Sequence, residues 1–331
     1  GIINGFASTF RSTGAGAVTL IGSGAGTAFG VDNGGGAIGA VAATGDIILR
    51  AHSASGPDSL NLVGGTVLGA GGLFVDPVVA ATTIGVAGGA GQLNLSAAEL
   101  STMQDGFSQI IIGRTDGTAP LLFSGSQTFS DSVTLRNGSG PIVLDGPLTV
   151  SGGDLTLASS GPIAVSNGTS SASNIAVTGG SLTVQPGVSA VASAILNAGG
   201  NLTVNTGAGA VTVSGSDTSA GLGAKLQASG IVTISAGSLS IEGGNANNAG
   251  AAIDPVGIAV TTTGGVTLQG GTGSEAYALL LSPAGNVAAT AGGTINLLTG
   301  TGLNANAAIV ADTGMVTMIA LARQFDMQMK M

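Results

Sequence analysis

Acid–base chemistry needs paired carboxylates, or a histidine held against a nucleophile, and this chain offers few places to look for either. Asp131, Asp145 and Asp154 stand fourteen and nine residues apart. Neither spacing matches the repeat described below, so nothing stacks these carboxylates, and they read as loop or solvent-facing aspartates. His52 is the single histidine and has Ser53, Ser55 and Asp58 close behind it. A serine nucleophile is commonly lifted on a Gly-x-Ser-x-Gly elbow, and none occurs here, so His52 reads as a surface or loop residue. Gly270-Gly-Thr-Gly-Ser-Glu-Ala-Tyr-Ala278 approximates the calcium-binding nonapeptide, with Glu275 in place of its aspartate. That motif shares ions between stacked copies, and one degenerate copy reads as a glycine turn. The run from Gly22 to Gly26 lacks the Lys-Ser/Thr ending and the helix of a phosphate loop, and it too reads as a turn. With no cysteine, disulfides, thiolate chemistry and cysteine-based metal sites are excluded. No catalytic, cofactor-binding or metal site is assigned.

Charge narrows the partners. Sixteen acidic residues against seven basic ones give a net charge of −9. Arg11, Arg50, Arg114, Arg136, Lys225, Arg323 and Lys330 are scattered singly along the chain. Nucleic-acid binding rests on clustered cations that release counterions, so no nucleic-acid partner is expected. No membrane span is expected either: the uncharged stretch from Pro77 to Ala98 is interrupted by Gly85, Gly88, Gly89, Gly91, Gln92 and Asn94. With no Trp, one Tyr and eight Phe, the aromatic girdles of an outer-membrane barrel cannot be built.

The elements that would position any site come from a repeat. Ser173-Asn-Ile-Ala-Val-Thr-Gly-Gly-Ser-Leu-Thr-Val184 aligns without a gap on Ser193-Ala-Ile-Leu-Asn-Ala-Gly-Gly-Asn-Leu-Thr-Val204. The unit reads as strand, glycine turn, strand, with Gly179 and Gly180 supplying positive φ. Such a pair cannot bury its apolar face alone, so copies must stack. Extending the alignment puts Gly180, Gly200, Gly230, Gly264, Gly285 and Gly314 in one column. It puts Leu182, Leu202, Val232, Val266, Val287 and Val316 in another, predicted to form one inward row, while Ala289 leaves its coil thin in the core. Steps of 20 to 34 residues suit a β-solenoid that lengthens its loops. Although 61 residues are glycine, 44% are hydrophobic, only 7% are charged and mean hydropathy is +0.54, which argues against disorder. An all-β fold is expected, with on the order of 11 to 16 coils in a rod roughly 50 to 80 Å long.

Along the chain, residues 1–95 read as solenoid with long loops, where Gly-x-Φ-x-Φ (Φ apolar) ends at Leu20, Leu49 and Leu95. Residues 96–131 break the rhythm as an irregular coil or insertion. There Ser96-Ala-Ala-Glu99 has capping-box spacing and predicts a short helix near 97–104. Strands at Gln109–Gly113 and Leu121–Phe123 follow, with a turn at Thr115–Gly117. Residues 132–318 are the regular solenoid, and 319–331 a tail.

The Gly-x-Φ-x-Φ units, with Glu99-Leu-Ser-Thr-Met-Gln-Asp-Gly-Phe-Ser-Gln-Ile-Ile-Ile-Gly-Arg-Thr-Asp-Gly117, resemble the repeat regions of bacterial surface exoproteins of the filamentous-haemagglutinin type. The resemblance implies a right-handed parallel β-helix, export to the cell surface and adhesive or matrix roles. That family's secretion domain carries an Asn-Pro-Asn type motif, and no Asn-Pro occurs in this chain, which therefore reads as rod rather than export module. The expected function is a non-enzymatic extracellular rod acting in adhesion or as a self-assembling filament or matrix component. A carbohydrate-active β-helix enzyme and a glycan-binding module are the alternatives. The expected partners are further copies meeting end to end, since open coils invite another strand, and a host or matrix glycan or protein.

Overall fold

The computed structural model describes residues 1–5, 8–12, 14–54 and 58–320. The predicted tail therefore lies almost wholly outside the described residues. Parallel strands stack into a β-solenoid of about 12 turns, about 50 to 60 Å long at one strand spacing per turn. The all-β expectation holds, and one four-residue helix, Ala97–Leu100, is the helix found among the described residues. It is shorter than the predicted 97–104. The capping box at Ser96 and Glu99 is present, but the chain turns at Ser101 and Met103 rejoins the solenoid as a bridge partner of Val67.

From about residue 127 onward each turn has three flat faces. Face I is a ten-stranded ladder containing Leu121–Ser124, Ile142–Asp145, Pro162–Asn167, Ser181–Val184, Ala210–Ser214, Ser238–Glu242, Val266–Gln269 and Ile295–Leu298. Face II carries Val133–Arg136, Leu155–Ala158, Ile175–Thr178 and Leu202–Asn205, and extends back through Gln109–Ile112, Gly72–Pro77 and Ile47–Ser53 to Val18–Gly24. Face III carries Gln127–Phe129, Leu148–Val150, Thr169–Ala172 and Ala194–Ala198. Two long strands, Ala224–Ala236 and Ala251–Thr262, run across faces II and III with a register shift between Ala228 and Ile231.

Alternation builds the core. On face II the inward pairs Leu155/Leu157, Ile175/Val177, Leu202/Val204, Val232/Ile234 and Ile258/Val260 are all buried, and each such side chain removed from water contributes about 1.5 to 3 kcal/mol before ordering costs. The outward row between them runs Thr134, Thr156, Ala176, Thr203, Thr233, Ala259 and Ala288. Ala289 is buried between Val260 and Met318, so the thin coil remains closed to water.

The predicted single row is corrected. Leu182 stacks between Ile163 and Val211 on face I, and Val266 between Leu239 and Ile295 on the same face. Leu202, Val232, Val287 and Val316 belong to face II, and Val316 is 38% exposed. The two aligned twelve-residue units do not lie on each other: Leu202 sits on Ile175, and Ile195 on Thr169. The same strand-glycine-strand signal marks two different faces of the prism, which is why an ungapped alignment slid by one face.

The glycine turn also has a different cause from the one predicted. Neither Gly179 nor Gly180 has positive φ. A Cβ on Gly209 would collide with the Gly180 carbonyl oxygen, so glycine is required there by close stacking of turns. Asparagines tie the turns axially: Asp154 accepts from the Asn174 backbone at 3.0 Å, Asn174 from the Asn201 backbone at 2.9 Å, and Asn201 from the Ile231 backbone at 2.9 Å.

Candidate functional site

Outward positions near the C-terminal end of face II strands form a column at Arg50, Asp76, Gly113 and Arg136. Arg50 is paired in register with Asp76, and Gly113 is placed next by its amide donating to the Val75 carbonyl. Gly113 adopts φ 99°, and the Arg136 Nε–H donates to its carbonyl at 2.8 Å. The Arg136 guanidinium extends back along the column towards Asp76, ending with Nη2 4.0 Å from the Asp76 carboxylate. Its Cζ lies 5.7 Å from the centre of the Phe74 ring, within range of a cation–π contact.

Asp76 is 2% exposed, and Arg50 Nε donates to it at 2.8 Å. Burial pushes its carboxyl above the usual range, opposed by the Arg50 hydrogen bond and by the charges of Arg50, Arg114 and Arg136. Burial likewise pulls the Arg136 guanidinium down, with Asp76 opposing that shift. Arg114 lies just past Gly113. Its Nε and Nη2 donate to Asp116 at 2.7 Å each, and its Nη1 donates to the Pro77 and Val78 carbonyls at 3.0 and 2.9 Å. That bidentate bond raises Arg114 and holds the Asp116 carboxyl below its ordinary value. Together with Thr115 these groups line a pocket of about 270 Å³. Three guanidiniums face two carboxylates, which can hold an oxyanion by charge-assisted bonds.

This overturns the reading of the basic residues as scattered singly. Arg50, Arg114 and Arg136 converge because coils of 26, 37 and 23 residues, the steps of the Ile47, Leu73, Ile110 and Val133 row, return the chain to one edge. Sequence reasoning also missed a polar groove of about 280 Å³ near face I, lined by Gln185, Ser214, Asp217, Glu242, Asn245 and Gln269. There Asp217 accepts from the Asn245 amide at 3.2 Å, and Glu242 accepts from Ser240 Oγ at 2.5 Å.

The residues weighed from sequence fall apart in space. Asp145 ends a face I strand and accepts from Ser166 Oγ at 3.0 Å, whereas Asp154 precedes a face II strand and caps Asn174. Asp131 accepts from the Gly106 amide at 3.2 Å, and burial raises its carboxyl. His52 lies in strand Ile47–Ser53 opposite Ser23. Asp58 instead accepts from the amides of Leu60 and Asn94 at 3.2 and 3.1 Å, and burial pushes it up to about 6. Ser55 lies outside the described residues.

The calcium-like nonapeptide is a stacked turn. Asn248, Glu275 and Asn304 all have left-handed φ, 57°, 58° and 58°, and the amides of Asn248 and Glu275 bond to Ser274 and Leu303 of the next turn. The position selects for a left-handed residue, asparagine in two of three copies. No group of three or more potential metal ligands occurs among the described residues, and no helix among them is long and apolar enough to cross a membrane. No protein-family model matches the chain, and neither a curated protein nor a solved structure does.

Proposed function

We propose that this chain is an extracellular structural rod that acts in adhesion or assembles with itself into a surface filament or matrix. The observation that carries the reading is the state of the last described turn. Leu297, Val316 and Met318 are 43%, 38% and 50% exposed, whereas their register partners one turn back, Leu268, Val287 and Ala289, are buried. Val316–Ala320 is the last strand of its parallel ladder among the described residues, and Val316 and Met318 carry this apolar surface on it. At the opposite end Ile2–Ile3 begins another ladder on Val31–Asp32, and Ile3 is 76% exposed. A second copy presenting that end continues the stack, and a head-to-tail contact of this kind propagates without closing. Outward Thr183, Thr212, Ser240 and Thr267 on face I, and Thr134, Thr156, Thr203 and Thr233 on face II, suit contact with hydroxyl-rich or polypeptide surfaces.

Light scattering and electron microscopy of the purified chain test the assembly. Concentration-dependent linear particles are expected, and Ile3→Lys or Met318→Lys should shorten them; a monomer at every concentration refutes the filament. Incubation with a panel of polysaccharides tests the rod against the enzyme alternative. No cleavage is expected. Reproducible cleavage lost in Asp217→Asn or Glu242→Gln would replace the rod reading with a carbohydrate-active one, because those two carboxylates share the groove near face I.

A further inference from the structure

We propose that the pocket formed by Arg50, Arg114 and Arg136 binds the carboxylate of an acidic sugar residue. The pocket's cations are fixed in place by the protein itself: Arg136 by the Gly113 carbonyl and the Phe74 ring, Arg114 by Asp116 and two backbone carbonyls, and Arg50 by Asp76. Asp76 is buried and engaged through both oxygens, so it acts as a strut. Arg50 uses only Nε in this bonding, which leaves its two Nη groups without a hydrogen-bond partner among the described residues, on a side chain 43% exposed. The Nη groups of Arg136 make no hydrogen bond there either, Nη2 having only the longer 4.0 Å ion pair. Planar guanidinium forks with unused N–H donors match the two oxygens of a carboxylate.

The surroundings favour a sugar as the bearer of that carboxylate. Asp116 is 63% exposed and presents an acceptor beside the forks, and Thr115 adds a hydroxyl. Donors and acceptors side by side suit a ligand with one negative group and several hydroxyls. A densely charged polyanion would meet Asp116 and a chain whose net charge is −9. The pocket, about 270 Å³, has room for about one sugar ring, and outward Thr134 and Thr156 continue the face beyond it. The proposal is independent of end-to-end assembly.

Isothermal titration of the intact chain with a polyuronate oligomer, at a concentration where scattering reports monomer, is the test. The neutral oligomer of the same sugar backbone, inorganic sulfate and an acidic peptide are the comparison ligands. Binding of the polyuronate is expected, weakening with salt because the forks are exposed. Arg50→Gln should weaken it about tenfold or more, and Arg50→Lys should recover little because a lysine lacks the fork. Lys225→Gln, far along the chain, should leave it unchanged. Because Arg136→Gln also removes the contacts to Gly113 and Phe74, the more exposed Arg50 variants decide the outcome, with circular dichroism confirming their fold. No binding, equal binding of the neutral oligomer, or full affinity in Arg50→Gln would overturn the proposal. Equal binding of sulfate or of the acidic peptide would overturn the sugar-carboxylate assignment.

Discussion

Stacking of Leu202 on Ile175, rather than on Leu182, can be tested by a disulfide in a chain that has no cysteine of its own. Ala176 and Thr203 are register partners on the outer side of face II and both are exposed. Parallel neighbours lie about 4.8 Å apart, inside the roughly 4.4 to 6.8 Å Cα range a disulfide accepts. Thr183 pairs with Thr212 on face I, so a Thr183/Thr203 pair, adjacent if the two repeat units lay on each other, is split between faces. Ala176→Cys with Thr203→Cys should therefore oxidise fully, and Thr183→Cys with Thr203→Cys should keep both thiols. The bridge closes a loop of about 27 residues, which in the chain-entropy account is a stabilisation of about 3.5 kcal/mol, reduced to about 2 by strain between flat strands. Thiol titration gives the oxidation state, and denaturant unfolding with and without reductant gives the stabilisation. Oxidation of the 183/203 pair with the 176/203 pair left reduced would refute the three-faced register.

Three further outcomes are expected. Asp58, raised from 3.8 to about 6, holds its proton more tightly folded than unfolded, so stability falls as pH rises from about 4 to about 6. The ceiling is about 3 kcal/mol, and on the order of 1 after solvent screening of a half-exposed group; Asp58→Asn should flatten that slope in melts at pH 4 and 7. Ser170 is fully buried, in register with Leu196, and its hydroxyl has no partner among the described residues, so Ser170→Ala should raise stability by about 1 kcal/mol in denaturant titration. Glu275→Asn, matching Asn248 and Asn304 at the same left-handed turn, should stabilise by about 0.5 kcal/mol, and added calcium should leave the melting temperature of the parent chain unchanged.

Fold class was legible because period-two alternation and glycine spacing are local. Leu155/Leu157 or Val211/Val213 declare an inward face within five residues, and the Ser96–Glu99 box declares its helix within four. Which face each strand joins was not legible. Faces I and II carry the same Gly-x-Φ-x-Φ signal, as Ile163/Val165 and Leu155/Leu157 show, and turns of 20 to 37 residues along face II leave no constant period to separate them. The stretch at 84–95 shows the difficulty in its sharpest form. Strands Ile84–Val86 and Leu93–Leu95 pair in parallel across a six-residue link, and the later strand lies farther from the following turn. A Cβ on Gly89 would strike the Leu122 carbonyl, and one on Gly91 the Gly85 amide. Those glycines read from sequence only as interruptions of an apolar run, because the atoms they avoid belong to other strands.

The arginine pocket was hidden for the same reason, and its chemistry shows why. Arg50, Arg114 and Arg136 are separated by 64 and 22 residues, and each alone reads as a solvated cation. Register brings them together, and close stacking of the turns requires glycine beside them: at Gly113 any Cβ would run into the Arg136 carbonyl, and φ 99° disfavours other residues. The Gly113 carbonyl accepts from Arg136, whose guanidinium reaches back over Phe74 towards Asp76. A buried carboxylate such as Asp76 persists only when paired, so its presence on an outward position implies cations around it. In a solenoid, then, an acidic residue that is outward by alternation yet buried marks where distant cations converge. Such a residue can be recognised only after the coils are in register.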